Sequence, residues 1–134
     1  MIHERFTVTV DVQPDDIDVQ EHVNNIVYLR WVQDAAVAHW NAIAPHHAKE
    51  TLTWVVRRHE IDYKKPAIRG DTILVQTWIG AASRLAFDRH TEMLRASDLR
   101  LLAVARTVWC PVERKTGRLT DVSPEIRSLF SSGQ

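Results

Sequence analysis

Residues 25–44 read NIVYLRWVQDAAVAHWNAIA, the one long stretch with a helical repeat. Tyr28, Val32, Ala35, Ala36, Trp40 and Ile43 recur at three- and four-residue steps, while Arg30, Asp34 and Asn41 share the opposite side. Ile26, Leu29, Val37 and Ala38 widen the apolar stripe until little of the circumference stays polar. Such breadth predicts a helix wrapped by other structure, not one lying on a surface. Pro45 ends it, because a proline ring has no N–H to continue the ladder.

On either side of this helix the period changes to two. Phe6, Val8, Val10 and Val12 fall on one face of a first strand, which stops at Pro14. After a short polar loop, HHAKE at 46–50, four further strands are predicted: TLTWVVRRHEIDYKK (51–65), DTILVQTWIGA (71–81), RLAFDRHTEML (84–94) and LRLLAVARTVWCPV (99–112). Pro66, the Gly70-Asp71 pair, Ser83, Ala96-Ser97-Asp98 and Gly117 supply the breaks between and after them. Ser123-Pro124-Glu125 has the serine cap and first-turn proline of a helix start, so 124–130 is predicted as a short terminal helix. Strands that follow one another most simply form an antiparallel sheet joined by hairpins. Only the long helix is available to cover that sheet's buried face. The predicted fold class is therefore α+β: a hot-dog, an antiparallel sheet of about five strands curled around one long central helix. A ferredoxin-like arrangement would need a second long helix.

A chain of 134 residues is expected to form a single domain over 1–134. Its formal net charge of zero gives no global field to hold nucleic acid or an anionic membrane. Cys110 is the only cysteine, so no internal disulfide can form. MIHERFTVTVDV at the start lacks the basic-then-apolar layout of a signal peptide, and no apolar run reaches the roughly 18–20 residues that span a bilayer. A cytoplasmic setting without membrane or nucleic-acid partners is the expectation.

The stretch just before the helix, DDIDVQEHVNNIVYLRW at 15–31, is where chemistry is expected. Asn24 or Asn25 makes a good N-cap, and acids interact well with the positive end of a helix. Asp15, Asp16 and Asp18 are more acid than one cap requires, and His22 and Tyr28 lie close by. Where a helix plugs a curled sheet, its first amides are partly desolvated and can polarise a developing oxyanion. A carboxylate beside them can serve as base or nucleophile toward the same carbonyl carbon.

DxDxxxHVNNxxYLRW, followed by EIDYKKPAIRGDTILVQT, resembles the acyl-CoA thioesterases of the 4-hydroxybenzoyl-CoA thioesterase type. The helix-start motif looks most like the variant in bacterial long-chain acyl-CoA and plant acyl-carrier-protein thioesterases. The likeness continues through TVWCPVERKTGRL and so covers most of the chain. It implies hydrolysis of acyl or aroyl coenzyme A thioesters, less readily of acyl-carrier-protein thioesters, with no cofactor and no metal. The family's catalytic aspartate matches Asp18, and the histidine implicated in the plant-like enzymes matches His22. Backbone amides from Asn24 to Ile26 are expected to hold the thioester oxygen, with Gln20, Asn25 and Tyr28 also on the substrate. The chain departs from the family's patterns in three places, two of them from the plant-like enzymes. Gln20 stands where they have asparagine, and Glu21 where other members have glycine. After Ile61-Asp62-Tyr63 come Lys64, Lys65 and Pro66 instead of a glutamate.

Arg57, Arg58, Lys64, Lys65 and Arg69 read either as a solvated strand face or as a docking patch for the phosphates of coenzyme A, with Arg84 and Arg89 extending it. His46 and His47, with His39 upstream, have no metal-ligand spacing and are expected at the surface. Cys110 is expected as a small core residue. Trp31, Trp40 and Trp54 are expected in the core or an interface, those near the helix also bordering an acyl pocket. The resemblance further implies a homodimer joined edge to edge, with tetramers also found in the family. Two other functions remain open on this fold, a hydratase/dehydratase and a non-catalytic acyl-thioester-binding protein.

Overall fold

The computed structural model describes residues 5–131. Strand β1 (Phe6–Asp11) leads through a 3-10 turn (Pro14–Asp16) to helix α1 (Asn25–Ile43), then a short helix α2 (His46–Thr51). Strands β2 (Leu52–Tyr63), β3 (Thr72–Ala82), β4 (Phe87–Arg95) and β5 (Leu101–Glu113) follow, and helix α3 (Pro124–Phe130) closes the described chain. The strands form one sheet in the order β1-β3-β4-β5-β2, with every neighbouring pair antiparallel. This is the hot-dog arrangement that the periodicity predicts.

Alternation fixes which side of the sheet meets the helix. Ile73, Val75, Thr77 and Ile79 of β3 are buried, as are Phe87, Arg89, Thr91 and Met93 of β4. Val27, Tyr28, Trp31, Val32, Ala35 and Ala36 of α1 pack onto that face. A second apolar cluster near the helix's C-terminal half joins Ala44, Ala48, Ile79, Phe87, Val122, Ile126 and Phe130, with Trp40, Trp54 and Trp109 against it. Cys110 is buried among strand residues, as its setting predicts.

Two expectations are corrected. HHAKE is not a loop but most of α2. Its end is held from outside: Lys49 Nζ donates to the Asn41 carbonyl, and Arg114 donates to the carbonyls of Lys49 and Leu52. Only Ala48 of this helix is buried, so no apolar period announces it. The broad stripe of α1 is also covered on one side only, since Ile26 is 73% and Val37 53% exposed.

His39 is partly buried, stacked on Phe6 and edge-on to Phe130. Arg89 Nη1 donates to its Nδ1 at 3.0 Å. A guanidinium only donates, so Nδ1 is the acceptor and the ring proton lies on Nε2. Burial, and secondarily the charge of Arg89, lowers the His39 pKa from 6.5 to about 4. The unfolded chain therefore takes up this proton more readily. The neutral ring's contribution is fully present above about pH 6.5 and is lost as pH falls toward 4. His39→Asn keeps an acceptor for Arg89 but cannot titrate. Denaturant melts between pH 4 and 7 should show wild type losing on the order of 1–2 kcal/mol more than this variant, with allowance for solvent screening of a partly exposed ring. Parallel pH profiles would refute the assignment.

Candidate active site

The segment carrying the motif is a tight hairpin in which Ile17 bridges Val23. Asp18 N–H donates to the His22 carbonyl at 2.8 Å, and Glu21 N–H to the Asp18 carbonyl at 3.1 Å. Asp18 Oδ1 accepts from the backbone N–H groups of Gln20 (2.8 Å) and His22 (3.2 Å). Aspartate suits the first position of such a turn because its short side chain reaches the amide two residues on. Among the described residues, Asp18 Oδ2 has no hydrogen-bond donor.

Glu21 closes the hairpin at φ 63°, in the left-handed region that favours glycine. A side chain there costs roughly 1–2 kcal/mol. Its ion pair with Arg69, at 3.6 Å and well exposed, returns little. Glu21→Gly should therefore stabilise the protein, by about 0.5–1 kcal/mol once the freer unfolded chain is counted. Chemical denaturation checks this, and a net loss of stability would show that Glu21 is not strained.

Asp18, Gln20, His22, Asn24 and Asn25 line a cleft of about 330 Å³ at the start of α1, with Val23 and Tyr28. The opposite wall is Tyr63, Lys64, Lys65 and Pro66. Tyr63 hydroxyl donates to the Asn25 carbonyl (3.1 Å), and its ring meets Tyr28 edge-on. The Pro66 carbonyl is gripped by Arg95, which also pairs with Asp71 at 3.0 Å. Tyr63 and Pro66 were not singled out in the sequence. They reach the cleft through sheet pairing and the hold of Arg95 on the turn after β2, neither of which leaves a local signal.

The helix-start amides differ from expectation. Asn24 N–H donates to the Asp16 carbonyl at 2.8 Å, and Ile26 N–H to Asn24 Oδ1 at 3.1 Å. Asn24 is thus the N-cap, and two of the three amides expected to meet substrate are already engaged, Ile26's by the cap and Asn24's by the Asp16 carbonyl. Only Asn25 N–H has no acceptor among the described residues. Ile26 has no place in the cleft, and its side chain points outward. Tyr28 belongs to the buried floor: its oxygen accepts the Ala67 N–H at 2.8 Å, and burial raises its pKa.

The five expected phosphate-binding residues do not form one patch. Lys64 and Lys65 line the cleft, and Arg69 sits across from Glu21. Arg57 and Arg58 lie at the β2 bulge, about 20 Å away along the strand at its usual rise, and Arg58 pairs with Glu60 at 2.8 Å. Arg84 is tied to Asp121, and Arg89 is buried, so neither extends a surface patch. His46 pairs with Glu50 at the surface. Among the described residues no three His, Cys, Asp or Glu side chains are grouped as metal ligands, and no helix is long and apolar enough to cross a membrane.

The profile of the thioesterase-like superfamily matches residues 12–130. The chain belongs to that superfamily. A 1,4-dihydroxy-2-naphthoyl-CoA thioesterase from Synechocystis superposes with a TM-score of 0.79 at 21% identity, over 95% of this chain and 96% of that one. A Staphylococcus aureus protein crystallised in complex with CoA superposes at 0.86 with 16% identity, over 98% and 84% of the two chains. These two likenesses establish the fold. Among sequence relatives, a chloroplastic acyl-[acyl-carrier-protein] hydrolase of Cuphea viscosissima is 30% identical over 83 residues, 62% of this chain and 20% of the relative. A chloroplastic palmitoyl-acyl carrier protein thioesterase of Gossypium hirsutum is 21% identical over 91% of this chain and 32% of its own length. The chain thus spans a fifth to a third of these curated relatives.

Proposed function

We propose that this thioesterase-superfamily chain hydrolyses acyl or aroyl thioesters of coenzyme A to the free acid and CoA, with Asp18 as the reacting carboxylate. The observation that carries the reading is the hold on Asp18. One oxygen is fixed by two backbone amides and the other is free, in a cleft opening at the first turn of α1. In one form of the step, Asp18 attacks the thioester carbonyl, the CoA thiolate leaves, and water opens the resulting anhydride. In the other, Asp18 takes a proton from the water that attacks. The Asn25 N–H, aided by the positive end of α1, polarises the carbonyl oxygen. His22 and Gln20 orient water or the acyl carbonyl. Lys64 and Lys65 at the cleft wall meet the phosphates of CoA, or of a carrier protein's phosphopantetheine. No cofactor takes part in the step.

The homodimer is proposed to form along β2, an outermost strand with free backbone groups and an exposed Val55. The uncovered side of α1, with Ile26 and Val37, would then meet the second copy. The test of function is a panel of CoA thioesters with a thiol reagent. Asp18-dependent release of free CoA supports hydrolysis. Binding without release would replace it with an acyl-thioester-binding role, and water addition to an enoyl-CoA with a hydratase.

A further inference from the structure

We propose that a second cavity, near the far end of α1, binds a carboxylate carried on an aromatic or compact apolar body. Trp40, Trp54, Phe87 and Trp109 contribute to the walls of a space of about 230 Å³. Lys49, Arg89 and Arg114 also border it, and no Asp or Glu is among its lining residues. Along α1, Trp40 lies about 22 Å from Asn25 at the usual helical rise, so this is not the Asp18 cleft.

Arg89 decides the chemistry. It is only 5% exposed. Its Nη1 donates to Thr77 Oγ1 at 2.9 Å and to His39 Nδ1 at 3.0 Å. Its Nε and Nη2 have no acceptor among the described residues, and no carboxylate there lies within ion-pair distance. Burial pulls its pKa down to about 9, so the guanidinium is still charged at neutral pH. A neutral imidazole and a hydroxyl give lone pairs but no compensating charge, and a buried cation without an anion is costly. The indole N–H groups of Trp54 and Trp109, buried without acceptors among the described residues, add unmet demand in the same wall. A carboxylate matches the guanidinium fork and supplies the anion that Arg89 lacks. The ring walls suit an aromatic or compact apolar body behind it.

The probes are 3-phenylpropanoate and 3-phenylpropanamide, which share a skeleton and differ in charge, titrated by calorimetry into the full chain. Wild type should bind the acid at least about tenfold more tightly than the amide. Arg89→Gln should reduce that preference to about twofold or less, with amide binding nearly unchanged. Equal affinity for the two probes in wild type, or binding of neither, overturns the proposal without recourse to any variant. The carboxylate's source is read separately, from CoA thioesters whose acyl group ends in a carboxylate or in its methyl ester. Faster hydrolysis of the former, erased in Arg89→Gln, assigns the cavity to the far end of the acyl group. Tight acid binding without that preference assigns it to a free acid. Only this second arm rests on the thioesterase reading, so failure of that reading leaves the calorimetry standing.

Discussion

Asp18→Asn is expected to lower kcat/KM for thioester hydrolysis by at least about 10²–10³ while leaving the fold intact. The magnitude is that of losing one oxyanion donor, about 2.7–4 kcal/mol of transition-state stabilisation, and a reacting carboxylate should matter at least as much. The choice of asparagine follows from the hairpin. Asp18 Oδ1 accepts from the Gln20 and His22 amides, and an amide oxygen can accept both bonds in its place. What asparagine cannot supply is a nucleophilic or basic oxygen. Asp18→Ala removes both functions, so its loss of activity mixes chemistry with a loosened turn. Steady-state kinetics with a thiol reagent and a thermal melt on each variant separate them. Wild-type turnover in a folded Asp18→Asn protein would reduce Asp18 to a turn-forming residue.

The fold was legible where physical constraints are local. Pro45 and the 3.6-residue repeat place α1 almost to the residue, and period two gives the strands and their faces. The phase of β4 even put Arg89 on the inward side with Phe87 and Met93, yet its charge argued for the surface. The partners that make its burial tolerable, Thr77 and His39, lie on other elements. α2 leaves no period in the sequence for the same reason, since what holds it is Lys49 reaching α1 and Arg114 reaching back from beyond β5. In the cleft, Asp18, Gln20, His22 and the helix start could be read together because one hairpin carries them. Tyr63 and Pro66 could not, because strand register and Arg95 bring them there. The amides of Asn24 and Ile26 are not open to substrate, because the Asp16 carbonyl and the Asn24 cap take these donors.

Asp16, the first acid of the same motif, is expected to give the opposite phenotype: Asp16→Ala should cost about 2–4 kcal/mol of stability and lower Tm by on the order of 10 °C. Its side chain is 5% exposed. Oδ2 accepts the Gln13 N–H at 2.8 Å and Oδ1 accepts from Arg30 Nη2 at 2.9 Å. Its backbone carbonyl accepts the N–H of Asn24, the residue that caps α1. Asp16 therefore ties the end of the first strand to the start of the helix beneath the reactive hairpin. Alanine leaves the Gln13 amide unpaired and frees Arg30. Arg30→Ala alone keeps the Gln13 bond and should cost less than Asp16→Ala, about 1–2 kcal/mol, because it leaves one oxygen of a 5% exposed carboxylate without its donor. A double-mutant cycle then isolates the pair from the amide contact. Well below its melting temperature, Asp16→Ala should hydrolyse substrate far better than Asp18→Asn. Full stability with abolished turnover in Asp16→Ala would mean that the reacting carboxylate had been assigned to the wrong acid.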